Sequence, residues 1–153
     1  MKKQAYKLAS IGGTFGAFHQ GHKDYIDLAF SLAKRVQIGI NSQSYAQTSK
    51  QYDVPPLEHR LKELNEYLAE KHFSKRLHAI IIYESLNDFH QALLEPSVDC
   101  VVITDEYLET ATIMNKERMA RGLPPYYVHT KLRTMLAGGE ELSSTKLILE
   151  KGT

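Results

Sequence analysis

Short runs of strand-forming residues alternate with helix-periodic segments along this chain, and that alternation restricts its fold more than any other feature. "AYKLASI" (residues 5–11) reads as a first strand, and "VQIGIN" (36–41) as a second, with Val36, Ile38 and Ile40 alternating with Gln37, Gly39 and Asn41. "LHAIIIY" (77–83) and "CVVIT" (100–104) are continuous apolar runs, the pattern of strands covered on both faces of a parallel sheet. "PPYYVHTKL" (124–132) supplies a fifth. Between them lie helical segments. One runs from about Gly21 to Lys34, with Ile26, Ala29, Phe30 and Ala33 at helical spacing. Another follows Pro55 and Pro56 and places Leu57, Leu61, Leu64 and Leu68 on one face. A short piece near 87–94, a longer helix over 108–121 and a closing helix in "SSTKLILEK" complete the series. Residues 42–56 show no period and read as a long loop, a kind of segment that is often functional.

Strands alternating with helices predict an α/β domain, a Rossmann-like three-layer sandwich around a central five-stranded parallel sheet, with ligands bound beyond the carboxyl ends of the strands. At 153 residues, residues 1–153 form one domain with enough chain for a substantial core. With 19 basic against 18 acidic side chains, no charge excess suited to coating nucleic acid is present. The single cysteine, Cys100, sits in an apolar run and reads as a small buried hydrophobe; one cysteine excludes an internal disulfide framework. The N-terminus is too polar for a signal peptide, and no run approaches the ~20 apolar residues of a spanning helix. A cytoplasmic protein that neither enters a membrane nor binds nucleic acid is expected.

"SIGGTFGAFHQGHKDYI" (10–26) joins the first strand to the first helix and holds four of the nine glycines and two of the seven histidines. Glycines admit close backbone approach, and histidines offer donors that can become cationic near neutral pH. His19 and His22, three apart at a helix entrance, can both face an anion at the helix N-terminus. Neither the dinucleotide fingerprint nor the P-loop fits, since Thr14 stands where the former needs glycine, and Gly21 is followed by His22 and Lys23. A zinc-binding pair lacks a third ligand nearby. Histidines that merely satisfy loop backbone remain an alternative.

"GGTFGAFHQGH" resembles the first signature of the nucleotidyltransferase superfamily, Gly-Thr-Phe-Asp followed by His-x-Gly-His, and "LSSTKL" (142–147) resembles its second, Ile-Ser-Ser-Thr. "PLEHRLKEL", "NDFHQAL", "ITDEYLETATIMNKERMARGLPP" and "MLAGGEELSST" resemble phosphopantetheine adenylyltransferases of the archaeal and eukaryotic type, so the likeness spans nearly the whole chain. It implies transfer of adenylate from ATP, accompanied by Mg2+, to 4′-phosphopantetheine, giving dephospho-coenzyme A and pyrophosphate. Other members act on FMN, NMN or glycerol 3-phosphate, and a nucleotide-binding regulator without turnover is a further alternative.

By the same resemblance, Gly12 and Gly13 admit the nucleotide, Thr14 stands between the reacting phosphates with Phe15 beside it, and His19 and His22 hold the ATP phosphates. Lys50 neutralises the acceptor phosphate, unless it is a solvated loop lysine. Ser143, Ser144 and Thr145 bind the β- and γ-phosphates, or simply cap the last helix. Glu106 lies near the adenosine. Leu108, Thr112, Asn115 and Met119 share a helical face with Ala111 and Arg118 beside it, and the polar Asn115 and Arg118 either line a nucleotide pocket or mark a surface edge. Two departures stand out: Gly16 replaces the signature aspartate, and Ile148 stands where relatives carry a basic residue.

Overall fold

The computed structural model describes residues 4–48, 50 and 53–131. Its elements are β1 (Tyr6–Gly13), α1 (Gln20–Leu32), β2 (Ala33–Asn41), α2 (Gln43–Gln47), α3 (Leu57–Glu70), β3 (Leu77–Tyr83), α4 (Leu86–Leu93), β4 (Cys100–Ile103), α5 (Leu108–Ala120) and β5 (Tyr127–Thr130). The strands form one all-parallel sheet in the order β3-β2-β1-β4-β5. The chain moves outward from β1 to β3, then crosses back to lay β4 on the other side of β1. The reversal opens a crevice between the carboxyl ends of β1 and β4.

Two apolar layers hold helices on the sheet. On one face Ile26, Ala29 and Phe30 of α1 and Leu64, Tyr67 and Leu68 of α3 pack on Ala9, Ile11, Val36, Ile38, Ile40 and Val102. On the other, Leu93 of α4 and Ala111 of α5 pack on Leu8, Val101 and Ile103. The expected three-layer sandwich with five parallel strands is the observed one. Cys100 is fully buried in the first layer, and burial pushes its thiol up to about 12, which makes it a small core hydrophobe.

Three local expectations change. The first helix stops at Leu32, and β2 begins at once at Ala33, taking in Lys34. Arg76 holds the junction: its guanidinium stacks over Phe30 and donates to the carbonyls of Phe30 (2.6 Å), Ala33 (2.8 Å) and Lys34 (3.0 Å), satisfying oxygens that a continued helix would have paired. Within the expected loop, 43–47 form α2, capped by the Ser42 hydroxyl accepting from Tyr45 N–H at 3.2 Å. Five residues barely exceed one turn, too few for a visible period. Third, β3 is an edge strand, and only its Tyr83 is fully buried, so its apolar run does not mark a strand covered on both faces. The closing helix expected in 143–151 lies outside the described residues.

Candidate active site

Where β1 and β4 part, their register of Ala9 opposite Cys100 and Ser10 opposite Val101 would next bring Gly12 N–H to the Val102 carbonyl. The Tyr25 hydroxyl takes that place, accepting from Gly12 N–H at 3.3 Å and donating to Val102 O at 2.6 Å. Burial drives this phenol's pKa upward, so it stays a donor. Above this bridge lies a cleft of about 460 Å³. Its lining includes Gly12, Gly13, Thr14, His19, His22, Lys50 and Glu106, seven of the positions singled out in the sequence.

The turn from β1 into α1 is held from both sides. Phe15 and Ala17 have φ of 53° and 36°, left-handed conformations that cost of order 1–3 kcal/mol each and tend to be stored at functional sites. Phe15 offsets this by burying its ring in the first core layer, 2 % exposed, so the side chain expected beside the nucleotide is a core anchor. Gly16, between the two strained residues, is buried as well. From behind, Arg60 of α3, fully buried, donates to Thr14 O (3.0 Å), Asn41 O (2.7 Å), Pro55 O (2.8 Å) and Gln43 Oε1 (3.2 Å). One guanidinium thereby fixes the turn, the end of β2 and α2 together. The Thr14 hydroxyl accepts from Asn41 Nδ2 at 3.0 Å.

The two histidines form the N-terminal cap of α1. His19 Nδ1 accepts from Gly21 N–H at 3.0 Å, and His22 Nδ1 accepts from His19 N–H at 3.2 Å. The rings stack with centroids 3.8 Å apart. An accepting Nδ1 puts the ring proton on Nε2 in each. Burial, reinforced by His19, Lys131 and Lys50, depresses the His22 pKa to about 3; burial and Lys131 lower that of His19. Both imidazoles are therefore neutral donors at pH 7, which corrects the expectation that they turn cationic there. Positive charge at the site comes from Lys50 and from Lys131, a residue the sequence reading passed over although it directly follows the last strand's carboxyl end. Lys131 is held there by its N–H donating to Ile103 O at 2.8 Å.

The depressed pKa has a sign. Between pH 6.5 and about 3 the unfolded chain binds a proton at His22 that the folded chain refuses, so stability falls as pH falls through that window. From pH 7 to 5 we expect a loss of about 2 kcal/mol from this group, read by urea unfolding at the two pH values. His22→Gln should show a correspondingly smaller loss; an equal loss in the variant would assign the slope elsewhere.

Several of the expected positions take other roles. The space a Cβ at Gly12 would need is occupied by the Tyr83 ring, 2.9 Å away at Cε2, so this glycine makes room for a side chain of the protein, whereas a Cβ at Gly13 would make ordinary contact with Phe15 at 3.7 Å. Glu106 lies at the cleft beyond β4, its carboxylate accepting from the Thr104 hydroxyl at 2.9 Å. Arg118 and Asn115 do not line the cleft. Arg118, 1 % exposed, donates to the carbonyls of Leu93, Glu95, Pro96, Val98 and Pro124. Asn115 exchanges two hydrogen bonds, each 3.1 Å, with the Tyr126 backbone. The face read from the sequence is not the packed one, since Leu108 and Met119 are exposed and Ala111 and Arg118 buried. Ser143, Ser144 and Thr145 lie outside the described residues. Among the described residues no group of three or more His, Cys, Asp or Glu could hold a metal, and no helix is long and apolar enough to cross a membrane.

The parallel sheet of this order, its crevice between β1 and β4, and a glycine-bearing turn into a helix capped by two histidines define the Rossmann-like nucleotidyltransferase fold. The chain belongs to the cytidylyltransferase-like family, whose model matches residues 10–150. It is 30% identical over 151 residues to the phosphopantetheine adenylyltransferase of Pyrobaculum aerophilum, covering 97% of this chain and 96% of that one. It is 28% identical to the phosphopantetheine adenylyltransferase of Methanopyrus kandleri, over 93% of this chain and 88% of that one. Among solved structures, a protein of unknown function from Archaeoglobus fulgidus superposes with a TM-score of 0.69 at 25% identity, over 90% of this chain and 99% of that one.

Proposed function

We propose that this protein transfers adenylate from MgATP to 4′-phosphopantetheine. The observation that carries the reading is that one cleft combines two chemistries. Thr14, His19, His22 and Lys50 bring donors and positive charge to its lining, and Leu86, Phe89, Leu93 and Tyr107 add an apolar set suited to an uncharged arm. The relatives named phosphopantetheine adenylyltransferase support the same acceptor.

In the reaction a phosphate oxygen of the acceptor attacks the α-phosphorus of ATP. The new P–O bond forms as the bond from the α-phosphorus to the bridging oxygen breaks, and pyrophosphate leaves. No protein nucleophile is required; positioning and charge neutralisation supply the catalysis. The Nε2–H donors of His19 and His22, at the positive end of the α1 dipole, suit the oxygens that gain charge as the bond breaks. Thr14 lies between the two phosphates, Lys50 receives the acceptor phosphate, and Ser143, Ser144 and Thr145 complete the triphosphate site. Glu106 lies toward the adenosine. Among the described residues no carboxylate or histidine cluster offers a metal seat, so Mg2+ would accompany ATP as part of the substrate and would supply neutralisation of phosphate charge.

Pyrophosphate release from MgATP should follow addition of 4′-phosphopantetheine and not of FMN, NMN or glycerol 3-phosphate. No release with 4′-phosphopantetheine at high enzyme concentration overturns the reading. Lys50→Ala should raise the acceptor KM about 10- to 100-fold, the worth of one charged hydrogen bond, with the ATP KM little changed. An unaltered acceptor KM would reassign the lysine.

A further inference from the structure

Gly12 and Gly39 are direct partners across β1 and β2, and Gly39 in turn pairs with Ile81 of β3. The two glycines leave a bare patch on the sheet face that bears the cleft. Neighbouring positions on that face carry side chains, including Ser10, Gln37 and Val101. Tyr83, two residues beyond Ile81, lays its ring over the patch: a Cβ at Gly39 would overlap the ring, and one at Gly12 would crowd it. The ring lines the cleft while being only 2 % exposed. Its hydroxyl hydrogen-bonds Ser10, whose Oγ accepts from Gln37 Nε2 at 3.0 Å, and Gln37 also donates to Ala92 O at 3.3 Å. Phe89 of α4 packs against it with ring centroids 5.9 Å apart.

A phenol anchored through a buried polar chain is a fixed surface, and here it fills a space that the sheet itself leaves empty. We propose that Tyr83 is the residue that sets the depth of the acceptor side of the cleft, and so limits the bulk of the arm an acceptor can carry. This inference rests on the acceptor reading above. Removing the ring would uncover the glycine patch and deepen the cleft beside Leu93 and Phe89. An acceptor the size of the native one loses contact in that deeper cleft, and a bulkier one gains entry.

The test compares kcat/KM for 4′-phosphopantetheine with that for its S-alkyl thioethers of increasing size, using the full chain and MgATP. The wild type should discriminate against the larger thioethers. Tyr83→Ala should raise the ratio of bulky to parent acceptor at least tenfold with the ATP KM unchanged, whereas Tyr83→Phe, which keeps the ring, should leave the ratio within twofold. Tyr83→Leu takes the place of the alanine variant in the same comparison if that variant fails to fold. Wild-type turnover of the parent, with a ratio unchanged in the enlarged variant, overturns the role of Tyr83 and leaves the acceptor reading standing. Absence of wild-type turnover with every member of the series removes the acceptor reading and this inference with it.

Discussion

Replacing His22 by alanine is expected to cut kcat by about 10²- to 10³-fold, the usual loss for one donor aimed at developing charge, while the ATP Kd moves by less than about threefold. The argument rests on protonation. A cationic histidine would attract the triphosphate in the ground state and the transition state alike, and its loss would appear in binding. A neutral one, with Nδ1 already accepting from His19 N–H and a pKa near 3, offers only a directional Nε2–H. Such a donor matters most where negative charge concentrates, on the oxygens around the breaking bond. Steady-state kinetics and calorimetry on the same preparation separate the two. Equal losses in kcat and in ATP affinity would make His22 a ground-state phosphate ligand.

Arg118→Leu should leave ATP affinity unchanged and lower stability by about 3–5 kcal/mol, a fall in Tm of about 10 °C for a chain of this size. The guanidinium reaches five carbonyls, one at the end of α4, three in the connection from α4 to β4 and one at Pro124, and stacks 5.3 Å from the Tyr126 ring. A leucine of similar girth fills the space and satisfies none of those oxygens, so each loses its guanidinium donor, and among the described residues only Glu95 O keeps a second one, the Val98 N–H at 3.1 Å. Arg118→Lys should recover little, because one ammonium with three donors cannot span the same oxygens. Thermal unfolding monitored by circular dichroism decides the matter. A variant as stable as the parent but weaker in ATP binding would restore the pocket-lining role that the sequence alone left open.

Arg60 and Arg118, with Tyr25, show where sequence reading stops. The succession of strands and helices, the turn and the histidine spacing were legible because each is local: alternation of period two, a helical repeat, glycines between them. Arg60 sits inside the helix marked by Leu57, Leu61, Leu64 and Leu68, yet its partner Thr14 O lies 46 positions away. Tyr25 stands inside the quoted glycine and histidine stretch and meets Val102 O 77 positions on. Nothing near either residue announces the carbonyl it serves. Asn115 and Arg118 were visible as polar interruptions, but their purpose depended on which backbone the fold brings against them. Protonation was hidden for the same reason, since desolvation and the approach of Lys131 belong to tertiary structure.

The phenol between β1 and β4 has a mechanical consequence. It acts as a wedge in the seam of the sheet: with it in place the two strands cannot zip one rung further, and the gap above them is kept from closing. Take away that single oxygen and the orphaned amide and carbonyl would find their nearest remedy in each other, drawing the seam shut from below. The cleft is thus propped by the same helix whose first turn lines it.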